Sequence, residues 1–184
     1  MRKKIIYLVM LLPCFFACSQ DHEKLNDEIV KSDPKNYTYE LVAKGADIPW
    51  GMTWLPDGSM LVTEINGNIY RYKNGEQITI KNVPKIYRNG QGGLLDIEVH
   101  PNYSQTGWIY FTYGSSEGGG EGGNTTLARA KLDKDALTNV EVLYKAMPNT
   151  KKVQHFGSRV RFDDKGCLYF SIGDRGENDL NPQD

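Results

Sequence analysis

His155 and Asp174 bracket the stretch of this 184-residue chain whose residue types could move a proton. Residues 155–179 read HFGSRVRFDDKGCLYFSIGDRGEND: a His, an alternating strand, a turn, a second strand and an acidic loop broken by glycine. The pattern predicts strands over Arg159–Phe162 and Cys167–Ile172, reversed at Asp163-Asp164-Lys165-Gly166. Asp and Gly suit such a reversal because its backbone must visit positive φ. The turn sits at one end of the hairpin, so His155 and Asp174 should meet at the other. Imidazole unperturbed by its surroundings titrates near pH ~6.5, so its neutral form can accept a proton. A carboxylate on the second ring nitrogen fixes the tautomer and stabilises the cation that forms. Read singly, a His is more often a surface or hydrogen-bonded structural residue. Asp174-Arg175-Gly176-Glu177 read alone is a solvated, ion-paired turn.

The elements that must hold this pair are short strands. Tyr39–Ala43, Met52–Leu55, Met60–Glu64, Asn68–Tyr72 and Ile78–Ile80 are strand-length and rich in β-branched or aromatic residues. Leu94–His100, Trp108–Tyr113, Thr125–Leu132 and Val140–Tyr144 continue the pattern. Pro56-Asp57-Gly58, Asn66-Gly67 and Lys73-Asn74-Gly75 supply turns. No stretch keeps a helical period over three turns, so the expected class is all-β.

A repeat runs through these strands. WGMTWLPDGSMLVTE (50–64), LLDIEVHPNYSQTGWIYFTY (94–113) and FGSRVRFDDKGCLYFSIGD (156–174) share one plan of strand, Pro- or Asp-led turn and strand. Pro56 and Pro101 lie about 45 residues apart, within the roughly 40–50-residue period of a four-stranded β-propeller blade. The next interval is longer and carries the glycine-rich insertion Gly118–Gly123, which lacks a P-loop ending and reads as a mobile inter-strand loop. The expected architecture is an incomplete arc of about three blades, residues 37–184, from the front of a longer propeller that would need typically 4–8. A smaller β-sandwich is the alternative, and it leaves the repeat as coincidence.

Met1–Cys18 reads as an export signal: Arg2, Lys3 and Lys4 precede the apolar run Ile5–Leu12, which is shorter than the ~20 residues a bilayer span needs. Phe15-Phe16-Ala17-Cys18 resembles a bacterial lipoprotein cleavage box, which makes Cys18 the candidate lipidation site; ordinary signal cleavage is the alternative. Residues 19–36 are charged, poor in large apolar side chains, and read as a flexible tether. A net charge of −1 offers no basic footprint for nucleic acid. With Cys14 in the signal and Cys18 at its end, Cys167 alone remains, so no disulfide framework or thiolate metal site is expected. Cys167 is expected to be a small buried residue, and Trp50, Trp54 and Trp108 to pack between blades.

GQGGLLDIEVHP (90–101), WIYFTY (108–113) and HFGSRVRFDDKGCLYFSIGDRGEN (155–178) resemble the soluble dehydrogenases of glucose and other aldoses that use pyrroloquinoline quinone (PQQ), the glucose/sorbosone dehydrogenase family. IPWGMTWLPDGSMLVTE (48–64) is similar to that family's first blade, and the likeness covers residues 37–184 in family order. The resemblance implies a six-bladed propeller with PQQ over its central channel. It implies that His155 is the base taking the anomeric proton while a hydride passes to the quinone, and that Asp174 orients His155. Gln91 then matches a substrate-site glutamine, although a Gln between glycines also suits a plain turn. Gln154 stands where glucose-oxidising members carry an acid, which points to a broader aldose range. The family's Ca²⁺ and most of its PQQ-binding residues belong to later blades. The resemblance therefore places the cofactor-binding residues beyond Asp184, and no metal ligand is expected in this chain.

Arg159 is read as a structural residue or one supporting the site from behind, His100 as structural, and His22 has no evident role. The resulting reading is an exported lipoprotein at the periplasm or cell surface, touching the membrane only through its lipid. It would oxidise aldoses to lactones and pass electrons to an external acceptor; the 184 residues alone would be inactive. A non-catalytic propeller binding carbohydrate or protein is the main alternative. A calcium-dependent lactonase is a third, for which the needed ring of carboxylates and amides is missing from the sequence.

Overall fold

Alternation of apolar residues along the strands decides which faces are buried. The computed structural model describes residues 40–176. The export segment, Cys18, the tether and the stretch leading to Asp184 lie outside the described residues. Strands β1 (Pro49–Trp54), β2 (Met60–Glu64), β3 (Ile69–Lys73) and β4 (Glu76–Thr79) form one antiparallel meander. Strands β5 (Leu94–Val99), β6 (Trp108–Ser115), β7 (Asn124–Asp133) and β8 (Ala136–Lys145) form a second. Strands β9 (Gly157–Phe162) and β10 (Leu168–Ile172) pair as a third, two-stranded sheet. The first strands of the sheets lie side by side, β1 against β5 and β5 against β9, so the chain is an all-β arc of a propeller.

The strand from Tyr39 to Ala43 is not realised over its described part: residues 40–46 are irregular, and Gly45, at φ 103°, interrupts any extended run. The helical exception is a single turn, α1 (Tyr103–Thr106), between β5 and β6. Gly107 ends it at φ 68°, a left-handed conformation that suits glycine, and donates its N–H to the Tyr103 carbonyl.

Within the second sheet β6 is covered on both sides. Ile109 and Phe111 on β6 point into a core shared with Leu55, Leu61 and Ile69 of the first sheet. Tyr110, one residue out of phase, packs with Leu127 and Val160 against the third sheet, with Phe162 and Phe170 beside them. This explains why 108–113 reads WIYFTY without polar alternation: a strand buried on both faces has no solvent side. Trp108 packs here as expected, with the Arg129 guanidinium 4.2 Å above its ring. Trp50 and Trp54 are packed less closely: with Met52 they form the outward face of β1, 42–62% exposed, with Trp50 Nε1 3.4 Å from Ser158 Oγ of β9. Cys167 also departs from expectation, lying exposed in the turn before β10, where its N–H donates to Asp163 Oδ1.

The first hairpin of each sheet slips register at the corresponding place, and a hydroxyl fills the gap. Thr63 Oγ1 accepts the Gly51 N–H (2.9 Å) and donates to the Leu95 carbonyl of the next sheet. Thr112 Oγ1 accepts the Asp96 N–H (3.1 Å) and donates to the Ser158 carbonyl (2.8 Å). Ser171 Oγ accepts the Arg159 N–H (3.0 Å) at the corresponding point of the third hairpin. A bulge frees an N–H from the ladder, and these hydroxyls satisfy it while Thr63 and Thr112 also join neighbouring sheets.

Candidate active site

The β9–β10 hairpin brings His155 and Asp174 together as the spacing predicted. His155 Nδ1 lies 2.8 Å from Asp174 Oδ1, and the same oxygen accepts the Gly176 N–H at 2.8 Å. The second bond fixes the carboxylate independently of the ring. The Gly176 N–H first, and then the His155 hydrogen bond, hold the Asp174 carboxyl below its ordinary range. With Nδ1 committed to Asp174, Nε2 is the nitrogen left to work, on a side chain 53% exposed.

The His155 backbone takes φ 57°, a left-handed conformation uncommon for a residue with a side chain. It is held from both ends. The His155 N–H donates to Gln91 Oε1 at 2.8 Å, and its carbonyl accepts the Arg175 N–H at 3.0 Å. Gly173 makes the strand approach possible, since a Cβ there would stand 1.9 Å from the His155 oxygen. Below, Phe156 is buried and its carbonyl accepts the Thr125 hydroxyl at 2.5 Å.

Gln91 comes from a loop that is itself clamped. Its N–H donates to the Val153 carbonyl (2.7 Å), and the Arg88 guanidinium donates to the Gly90 (2.6 Å) and Gly92 (3.1 Å) carbonyls. Gly90, at φ 53°, lies so close to Val153 that a Cβ would meet its carbonyl at 2.3 Å. Gln154 is exposed beside the same turn; a Cβ on Gly176 would approach its Nε2 to 3.2 Å. The four residues singled out from the sequence, Gln91, Gln154, His155 and Asp174, therefore surround one another.

Arg159 has a buried partner that the sequence reading missed. Asp96, 1% exposed, accepts from Arg159 Nη1 (2.9 Å) through one oxygen and from the Val160 N–H (2.8 Å) through the other. The signal was an Asp in the middle of the apolar run LLDIEV, where a carboxylate must find donors. Arg159 also lines an open cleft of about 400 Å³ with Trp50, Gly157, Ser158 and Ser171, next to His155 along β9. His100 is structural, its ring set against Tyr110 and Phe162.

Asp174-Arg175-Gly176 is not a solvated turn. Arg175 is 2% exposed, donates Nη1–H to the Gly173 carbonyl (3.0 Å), and has no partner for Nε among the described residues; burial pushes its pKa down. The glycine-rich loop is pinned at its base. Asn124 Nδ2 donates to the Glu117 carbonyl (2.8 Å) and to Asn149 Oδ1 (2.6 Å), while Asn149 Nδ2 reaches the Ser116 (2.9 Å) and Gly120 (3.2 Å) carbonyls.

Among the described residues no three His, Cys, Asp or Glu side chains gather as a metal site, and no helix is long and apolar enough to cross a membrane. The expectation that the cofactor-binding residues lie beyond Asp184 concerns positions outside the described residues. The exposed imidazole beside a fixed carboxylate does fit a reaction in which a separate redox group faces the base.

The chain is similar to several known proteins. An uncharacterised protein of Synechocystis sp. is 33% identical over 159 residues, covering 81% of this chain and 38% of its own length. An aldose sugar dehydrogenase of Escherichia coli is 29% identical over 148 residues, covering 78% of this chain and 40% of its own. The structure of the PQQ-bound aldose sugar dehydrogenase of Streptomyces coelicolor superposes with a TM-score of 0.67 at 26% identity, over 83% of this chain and 43% of that one. The chain spans about two-fifths of the length of these relatives. The model of the glucose/sorbosone dehydrogenase family matches residues 46–184, and the chain belongs to that family.

Proposed function

We propose that this chain forms the N-terminal blades of a PQQ-dependent aldose dehydrogenase, which oxidises the anomeric carbon of a sugar to a lactone. The observation that carries the reading is the pair of His155 and Asp174, joined at 2.8 Å beside the exposed face of the hairpin. In the neutral form with Nδ1–H directed at Asp174, Nε2 takes the proton of the anomeric hydroxyl. Asp174 then faces the new imidazolium and stabilises it without taking the proton. PQQ, when bound, supplies the two-electron sink for the hydride leaving the same carbon, a task side chains cannot perform. Gln91 and Gln154 offer uncharged amides to the sugar, consistent with a range of aldoses. Their neutrality leaves the base free of a second adjacent carboxylate. Ca²⁺, which the family resemblance implies, would act on the quinone as a Lewis acid. An external acceptor completes the redox cycle, and export with lipidation at Cys18 would hold the enzyme at the periplasm or cell surface.

The test uses the full-length gene product reconstituted with PQQ and Ca²⁺, an aldose and an artificial electron acceptor. His155→Ala should lower turnover by about 10²–10⁴-fold, the contribution of a general base. A variant that keeps its rate removes His155 from the mechanism. Absence of turnover by the wild type with every aldose tried favours a carbohydrate- or protein-binding propeller instead. The 184-residue chain alone is expected to be inactive.

A further inference from the structure

Gln91 carries a feature that contact with a sugar does not require. Its side-chain oxygen is already used: Oε1 accepts the backbone N–H of His155 at 2.8 Å. A glutamine that served substrate alone would have both ends of its amide available. Here the acceptor end points at main chain, and the NH₂ end is left for other partners.

The contact matters because of the conformation it supports. His155 sits at φ 57°, where a side-chain-bearing residue persists only if its surroundings over-determine it. The Arg175 N–H holds the His155 carbonyl at 3.0 Å, which fixes one peptide plane. The preceding plane, which carries the His155 N–H, is held by Gln91. Asp174 governs ring rotation and tautomer through Nδ1, but it does not set the direction in which the Cα–Cβ bond leaves the chain. Gln91 is suited to the task because its own loop is anchored, by its N–H to the Val153 carbonyl (2.7 Å) and by Arg88 to the Gly90 and Gly92 carbonyls.

We propose that Gln91 is a positioning residue for His155: its amide oxygen holds the left-handed backbone that aims the imidazole at the substrate. The inference rests on the dehydrogenase reading for its catalytic consequence, but not for its structural one. A misaimed base costs rate, and displacement of about an ångström can lower turnover ~10²-fold.

Two substitutions isolate the oxygen. Gln91→Met and Gln91→Glu both lack the amide NH₂, so any sugar contact through it is lost equally; the carboxylate alone keeps an acceptor at the same reach. In the full-length protein without PQQ, amide hydrogen exchange at His155 should speed up about tenfold or more in Gln91→Met and stay near wild type in Gln91→Glu. In the loaded enzyme, kcat at the plateau of each pH profile should be about 10–10²-fold lower for Met than for Glu, with sugar KM similar in the two. Equal exchange at His155 in both variants overturns the proposal, as does equal kcat accompanied by an equal rise in KM, which would make Gln91 a sugar ligand only. The exchange measurement needs no turnover, so failure of the dehydrogenase reading and failure of this one give different results.

Discussion

At the scale of single residues, strain is concentrated around the hairpin that carries His155. His155 at φ 57° and Arg175 at φ 50° flank the site, and Ser158 at φ 117° lies three residues from the base. Ser158 is buried at 4% exposure, and its carbonyl is held by Thr112, so its backbone cannot relax locally. A side chain in such a region costs about 1–3 kcal/mol. Glycine would remove most of that, less about 0.5–1 kcal/mol for its greater freedom in the unfolded chain. The lost hydrogen bond from Trp50 Nε1, at 3.4 Å, is long and contributes little. Ser158→Gly should therefore stabilise the full-length protein by about 1 kcal/mol. Thermal unfolding checks this; a midpoint at or below that of the wild type would show that Ser158 is not strained. The identity of these residues was legible in the sequence, but their backbone angles were not. A Ser in a glycine-favoured conformation looks like any other Ser in a strand.

At the scale of the elements, strand positions were largely readable because alternation and turn residues are local. Two details were not readable this way. Trp50 and Trp54 were expected to pack between blades because they fall on strand-like stretches, yet how closely a face of β1 meets a neighbour depends on where β5 and β9 lie. Cys167 was placed in the strand when it is the last turn residue, its N–H already taken by Asp163. The hydroxyl bridges between sheets were not legible at all. Thr63 and Thr112 look like ordinary β-branched strand residues, and their role follows from the coincidence of a bulge with a neighbouring carbonyl. Thr112→Val keeps shape and β-propensity but strands the Asp96 N–H and the Ser158 carbonyl in the interior. The expected loss is about 1–3 kcal/mol, read as a lower urea midpoint with an unchanged slope. A surface Thr→Val change should move the midpoint little, so an equally small shift at position 112 would deny the bridge its importance.

At the scale of the whole molecule, the balance of charge sets how folding responds to acid. Glu64 is 4% exposed; burial raises its pKa, but bonds from Asn68 (2.5 Å), the Asp47 N–H (2.9 Å) and Tyr70 (3.1 Å) outweigh this and leave it below 4.5. Asp57 is held well below its usual range, foremost by Lys73 and then Ser59, but it is 39% exposed and salt screens it. Asp174 shifts the same way. Carboxyls depressed in the folded state bind fewer protons than in the unfolded chain, so they stabilise above the unfolded pKa and cease to as pH falls through the folded one. Stability should thus be flat in this respect near neutrality and decline below pH 4.5, the ordinary Glu value. Urea midpoints of the full-length protein from pH 7 to 3 measure this; Glu64→Gln should flatten the decline at high salt, where Asp57 is screened. A decline with the same slope in that variant would remove Glu64 as its source.

The sequence alone determined the all-β class, the repeat, and the meeting of His155 with Asp174, because a two-stranded hairpin makes neighbours of residues equidistant from its turn. The family likeness rested on motifs that are contiguous in the chain. Tertiary structure decided what lies between segments far apart: Gln91 on the His155 backbone, Asp96 between Arg159 and Val160, and the burial of Arg175. Those contacts join residues up to 64 positions apart. Strand periodicity says which side a residue faces, but it carries no record of which neighbour waits there.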